Sequence, residues 1–210
     1  MKTKPTFRDR GPLQFISMSF APLLALALTF FSAAWVDATE IFLKLGDAAT
    51  TLPGESGDTV FAGADGWNYV SNFEWKVTAD SSWLNGGGAS VGRPVPQAVV
   101  ITRRVDSASP GILAAILTGT STATGQLVVR DTSRLVDKDS VDTVLRYEFT
   151  GFYFTSVKPA AAAGDTAPVE TISFVFKTLK MTYRPVTTDG TLGDPMVVTW
   201  DVPAGTVVGP

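Results

Sequence analysis

Segment 168–203 constrains this chain more than any other. Its first half carries apolar side chains at Ile172, Phe174 and Phe176, then changes phase to Leu179, Met181 and Tyr183, with Lys177, Lys180 and Arg184 between them. A side-chain period of two belongs to a strand with one buried face, and a change of phase within it implies a bulge or a handover between two cores. After a polar turn at Thr188, Asp189 and Gly190, the residues Met196, Val198, Trp200 and Val202 alternate with Val197, Thr199 and Asp201. This reads as the returning strand, with Met196, Val198 and Trp200 facing inward.

Further strands follow from the same period. Tyr69, Ser71, Phe73, Trp75, Val77 and Ala79 form the predicted inward face of a strand over 69–79. Shorter strands are expected at 98–105 and 127–130, and a long one at 144–157. In the long strand Leu145, Tyr147 and Phe149 share a face while Phe152 and Phe154 fall on the other, which predicts cover on both sides there. Between strands, Ser109 can cap a helix with Pro110 in its first turn, an apolar stripe of Ile112, Leu113, Ile116 and Leu117, and Gly119 as its stop. So short a helix is marginal alone and must dock. Residues 40–210 make about one domain, and frequent Gly, Pro, Val, Thr and Phe with one helical stretch favour an all-β sandwich or barrel.

The strings TISFVFKTLKMTYRP (171–185) and PMVVTWD (195–201), separated by a Gly/Asp loop, resemble the end of the haemolysin-coregulated protein (Hcp) family, the tube subunits of type VI secretion. The resemblance continues backwards to residue 40. IFLKLGD (41–47) is similar to the family's first strand, PGESG (53–57) to its Gly-Glu-Ser loop, 69–79 with Trp75 to its second long strand, NGGG (85–88) to its glycine-rich loop, and SASPGIL (107–113) to the lead-in of its helix. The resemblance implies a mainly β fold, an Hcp-like barrel of two packed antiparallel sheets with one short docked α-helix. It also implies a homohexameric ring, stacking of rings into a tube, and small secreted effector proteins held as cargo.

The first 38 residues have a different character. Lys2, Lys4, Arg8 and Arg10 precede an uncharged run over 11–36 whose most apolar part is 20–31. That is the layout of a secretory signal peptide, with cleavage expected after Ala38 and a single domain over 39–210. The alternative is an uncleaved anchor, since the uncharged run is long enough to span a bilayer; membrane contact is expected only through such a leader. The expected location is periplasmic or extracellular. Tube subunits of the family fold in the cytoplasm, so the leader leaves two readings open: a misassigned start, or an exported relative.

The chain contains no His and no Cys. Ser-His-Asp and Cys-His nucleophile systems cannot be built from it, nor can the usual zinc, haem or iron–sulfur sites. A Gly86, Gly87 and Gly88 run lacks the lysine and helix of a phosphate-binding loop. Asp137, Asp139 and Asp142 lack the glycine and distal glutamate of a calcium loop and read as a solvated hairpin end. Glu74 and Glu148 could in principle make a glycosidase pair, but both are predicted on the polar sides of ordinary strands. A net charge of −3 argues against nucleic acid as a partner.

The sequence thus predicts a non-enzymatic structural subunit with no cofactor and no metal. Trp67, Trp75 and Trp200 are assigned to core or rim. Trp83 and Leu84 beside Gly86, Gly87 and Gly88 are the candidate assembly contacts, in a segment, 81–96, expected to reach towards the next ring. The competing expectation is an exported monomeric binding module whose ligand surface is made by loops 46–66 and 81–96.

Overall fold

The computed structural model describes residues 39–46, 52–82, 90–137 and 143–210. The predicted leader, the candidate contacts Trp83, Leu84, Gly86, Gly87 and Gly88, and Asp139 and Asp142 lie outside the described residues. Along the chain run β1 (Thr39–Leu45), β2 (Trp67–Glu74), the short β3 (Val77–Thr78), β4 (Ser81–Ser82), β5 (Ser90–Val91) and β6 (Val95–Pro96), then β7 (Val99–Arg104), α1 (Ser109–Thr118), β8 (Thr122–Asp131), β9 (Leu145–Ala160), β10 (Val169–Val175), β11 (Thr178–Tyr183), β12 (Met196–Asp201) and β13 (Thr206–Val208).

Every strand pairing is antiparallel, and six strands pair in a closed circuit: β1 with β2, β2 with β7, β7 with β10, β10 with β9, β9 with β8, and β8 with β1. Closure removes the free edges that an open sheet of this size would present. Inside lie Leu43 and Leu45, Val70, Val99 and Ile101, Leu127, Phe149 and Phe152, Ile172 and Phe174, one contiguous core fed by all six strands. The expected mainly β barrel with one docked helix is therefore what the described residues form.

β9 is long enough to serve two neighbours. Its residues 153–160 pair with β10 and its residues 145–150 with β11, from which β12 and β13 extend outward as a wing. The phase change in 168–185 is this handover. Between β10 and β11, Lys177 N–H donates to Thr150 O (3.1 Å) as the chain moves from one half of β9 to the other. Beyond β11 the expected turn forms: Gly190 N–H donates to Thr187 O (3.0 Å), and Asp189 accepts from the Thr187 and Thr191 hydroxyls.

Four expectations about faces need correction. In β2 the inward residues are Asn68 and Val70, then Phe73, while Tyr69 is exposed. Opposite β7, Val70 pairs with Arg103 and Asn72 with Thr102, so Ser71 is the extra residue of a bulge that resets the period; its hydroxyl donates to Thr102 O (2.9 Å). Phe152 and Phe154 do not face away from Phe149. All three pack around Phe174, at ring-centroid distances of 5.2, 6.3 and 5.2 Å for Phe152, Phe154 and Phe149 respectively. Gly151, at φ +55°, takes up the half-period between them, and the bare Gly125 on β8 leaves space for the Phe152 ring, which would stand 2.8 Å from a Cβ there.

In the helix the buried stripe is Ala108, Ile112, Ala115 and Ile116, whereas Leu113 is exposed and Leu117 is 77 % exposed. Ser109 does not cap it. Its hydroxyl accepts from Asp106 N–H (3.1 Å) and donates to Glu170 (2.8 Å), while Asp106 Oδ1 accepts from Ala108 N–H (2.9 Å). The helix does stop at Gly119 in a left-handed conformation.

On the returning strand Trp200 is buried as expected, but Met196 is 54 % exposed. The ladder explains why. Trp200 pairs with Leu179, Val198 with Met181 and Met196 with Tyr183, and burial declines along that series as the wing leaves the core. Trp200→Ala should cost about 3–5 kcal/mol in urea melts, whereas Met196→Ala should stay within about 0.5 kcal/mol of wild type. Equal effects would mean that the wing is covered along its whole length.

Candidate assembly surface

A buried ion network ties the barrel to its helix. Arg103 on β7 is 1 % exposed and directly opposite Glu170 on β10. Its Nε donates to Glu170 Oε1 (3.0 Å), and its Nη1 donates to Asn68 Oδ1 on β2 (2.7 Å) and to Asp106 Oδ2 before the helix (2.6 Å). One guanidinium therefore joins three strands and the start of α1. Burial raises the Asp106 carboxyl above the usual range, against the opposing pull of Arg103 and the Ala108 N–H. Among the described residues no buried side-chain polar atom lacks a partner.

A second cluster covers the outer face of β1 and β8. Phe61 stacks on Phe42 (4.9 Å) and meets Trp67 edge-on (4.9 Å), and the Arg130 guanidinium lies 5.2 and 5.5 Å from the Phe42 and Phe61 ring centroids. Arg130 also pairs with Glu40 (2.7 Å) and with Asp58. Burial alone would raise the Asp58 carboxyl, but the hydrogen bonds from Arg130 and from the Phe61 and Val60 N–H groups outweigh it and hold the group below its ordinary value. The described part of loop 46–66 is thus fastened to the barrel wall, with Phe61 in contact with the sheet.

Outside the main sheet lies an arm. β3 pairs with β6 and β4 with β5, two small ribbons that share no strand with the main sheet. Val77, Val91 and Val95 on this arm are exposed. Its root is anchored by Trp75, whose ring packs against Phe176 (5.7 Å) and Tyr147 (6.3 Å) while its Nε1 donates to Gln97 O (3.1 Å). Higher up, Arg93 reaches Val202 O and Pro203 O on the wing. Trp75 was legible as rim or core from its strand period; nothing in the sequence indicates where Arg93 goes.

The carboxylates singled out from the sequence are not brought together. Glu74 accepts from Asn72 (3.0 Å), Glu148 pairs with Lys180 (2.9 Å), and the two line different surface hollows. Among the described residues no group of Asp or Glu has the arrangement of a metal site. Exposed apolar side chains lie on the arm, on the helix at Leu113 and Leu117, and on the wing at Met196, Val207 and Val208.

The described residues thus form a closed β circuit with one docked helix, an arm and a wing. Residues 42–183 match the family model described as type VI secretion system effector, Hcp. The chain belongs to the Hcp family and is a structural subunit of type VI secretion. Its fold is that of a solved type six secretion system protein, with 24 % identity over 81 % of this chain and 100 % of that one at a TM-score of 0.72. It is likewise similar to Hcp1 from Salmonella typhimurium, with 24 % identity, 81 % and 99 % covered, TM-score 0.61. A type VI secretion system effector from Yersinia pestis gives 22 % identity, 77 % and 99 % covered, TM-score 0.57. No curated protein matches the chain in sequence.

Two measurements probe the ion clusters. Arg103→Met should cost about 3–5 kcal/mol, because it leaves Glu170 buried without its partner, and adding Glu170→Leu and Asp106→Asn should recover part of the loss. Denaturant melts of the single and triple variants check this. Asp58 has a folded-state value below its unfolded one, so its stabilisation is complete above about pH 4 and is lost as pH falls through the depressed value. Asp106 is shifted the other way and contributes stability at low pH that is lost as pH rises. Comparing Asp58→Asn with wild type across acid pH isolates the Asp58 part: the variant should be less stable at neutral pH and lose less on acidification.

Proposed function

We propose that this chain forms rings of six copies that stack into a tube and hold small effector proteins, and that residues 1–38 are a leader removed after Ala38 on the way to the periplasm or the outside of the cell. The observation that carries the assembly reading is the arm: a ribbon outside the closed sheet, rooted in the core by Trp75, with Val77, Val91 and Val95 left uncovered in a single copy. Apolar surface of this kind is what a second copy would bury. In the sequence the same arm carries Trp83, Leu84, Gly86, Gly87 and Gly88, which we assign to the contact between rings. Family membership supports self-association, and surface recognition rather than catalysis is the role.

The leader favours a second reading. A chain that folds beyond the inner membrane is separated from a tube built in the cytoplasm, so an exported monomeric binding module follows from the charge layout of residues 2–36. Native mass measurement and electron microscopy of the protein purified from its compartment decide between them. Six-fold rings with a start at Thr39 support the exported assembly. Rings formed by intact cytoplasmic protein beginning at Met1 remove the export reading, and a monomer at every attainable concentration removes the tube.

A further inference from the structure

Arg93 lies between β5 and β6, on the returning limb of the arm. Its Nη2 donates to two successive backbone carbonyls, Val202 O at 2.6 Å and Pro203 O at 3.0 Å, in the turn between β12 and β13. The turn itself is held firmly. Asp201 Oδ1 accepts from Ala204 N–H (2.9 Å), Gly205 N–H donates to Asp201 O (2.8 Å), and Val202 N–H donates to Lys177 O (2.9 Å) while its side chain packs on the core. Gly205 sits at φ +69°, and a Cβ there would stand 3.3 Å from Arg93 Nη2. Glycine thus satisfies the turn and clears the place where the guanidinium rests.

A two-stranded ribbon is marginal on its own, and one attached at a single root can swing. This arm has two attachments: Trp75 and Gln97 at its root, and Arg93 on the wing. We infer that Arg93 is a positioning residue that locks the arm to the β12–β13 turn and so fixes the direction in which the arm projects. The guanidinium is suited to this, since the two hydrogens of Nη2 lie fixed in one rigid plane and serve the two carbonyls together, whereas a lysine ammonium would hold the same acceptors from a freely rotating, more flexible stem. The inference rests on the reading that the arm bridges copies, because a contact between rings needs the arm presented at a set angle.

The test is amide hydrogen exchange of the full protein, read over residues 77–82 and 90–96, alongside thermal melts and ring stacking by electron microscopy. Arg93→Ala should speed exchange in both segments by about tenfold, as expected for release of a local opening, with the melting midpoint almost unchanged. Arg93→Lys should restore part of the protection. Gly205→Ala attacks the same contact from the other side and should reproduce the effect on the arm. Faster exchange with lost stacking supports the lock and its role in assembly. Faster exchange with stacking intact overturns the role in assembly while leaving the tube reading standing, and unchanged exchange in Arg93→Ala overturns the lock itself.

Discussion

The Arg103 guanidinium is the contact on which the rest of the molecule depends. A closed circuit of strands must bring β2, β7 and β10 to one place and seat the start of α1 beside them, and Arg103 bonds to Asn68, Glu170, Asp106 and Ser109 at that place. Its energetic meaning is asymmetric. A buried ion network gains little over a well-packed apolar cluster of the same size, yet losing one member strands the others in a medium that cannot solvate them. Such a network penalises misregistered alternatives far more than it favours the native state. A one-residue slip of β7 against β10 would move Arg103 to the opposite face and leave Glu170 without its cation.

Charge also fixes the outer layer. Arg130 spans the Phe42 and Phe61 rings and pairs with Glu40 and Asp58, so the loop crossing the barrel wall is held by stacking and ion pairing together. The arm and the wing lie beyond both clusters. Their exposed valines and Met196 are apolar side chains with no counterpart in a single copy, in contrast to the satisfied polar groups of the barrel.

Strand existence was legible in the sequence because alternation is a local property; strand phase was only partly so. The runs Ile172, Phe174, Phe176 and Leu145, Tyr147, Phe149 point as their period says. The misread residues sit where a partner strand decides. Ser71 is extra only against Thr102 and Arg103, Gly151 redirects Phe152 only because Gly125 makes room across the ladder, and Met196 is exposed because Tyr183 opposite it has already left the core. The helix stripe was misplaced because its buried face is chosen by docking on β9, and apolar residues such as Leu113 and Leu117 also occur on the face left outside. For the surface, Trp75 could be placed from its pattern, whereas Arg93 could not: its acceptors are backbone carbonyls far along the chain, and carbonyls carry no signature of residue type.

The two-fold use of β9 has a consequence for the order of assembly of the chain itself. From β9 onward each strand pairs with a neighbour close in sequence, through β10, β11, β12 and β13, so this part can zip together from local encounters. β1 is different: after its hairpin with β2 it must wait for β8, encoded far downstream, before its second edge is covered. During synthesis, the first of the described strands to emerge is therefore among the last to be enclosed. Its apolar residues Ile41, Leu43 and Leu45 stay available to any edge-seeking strand in the meantime, a window that a holding chaperone would have to cover.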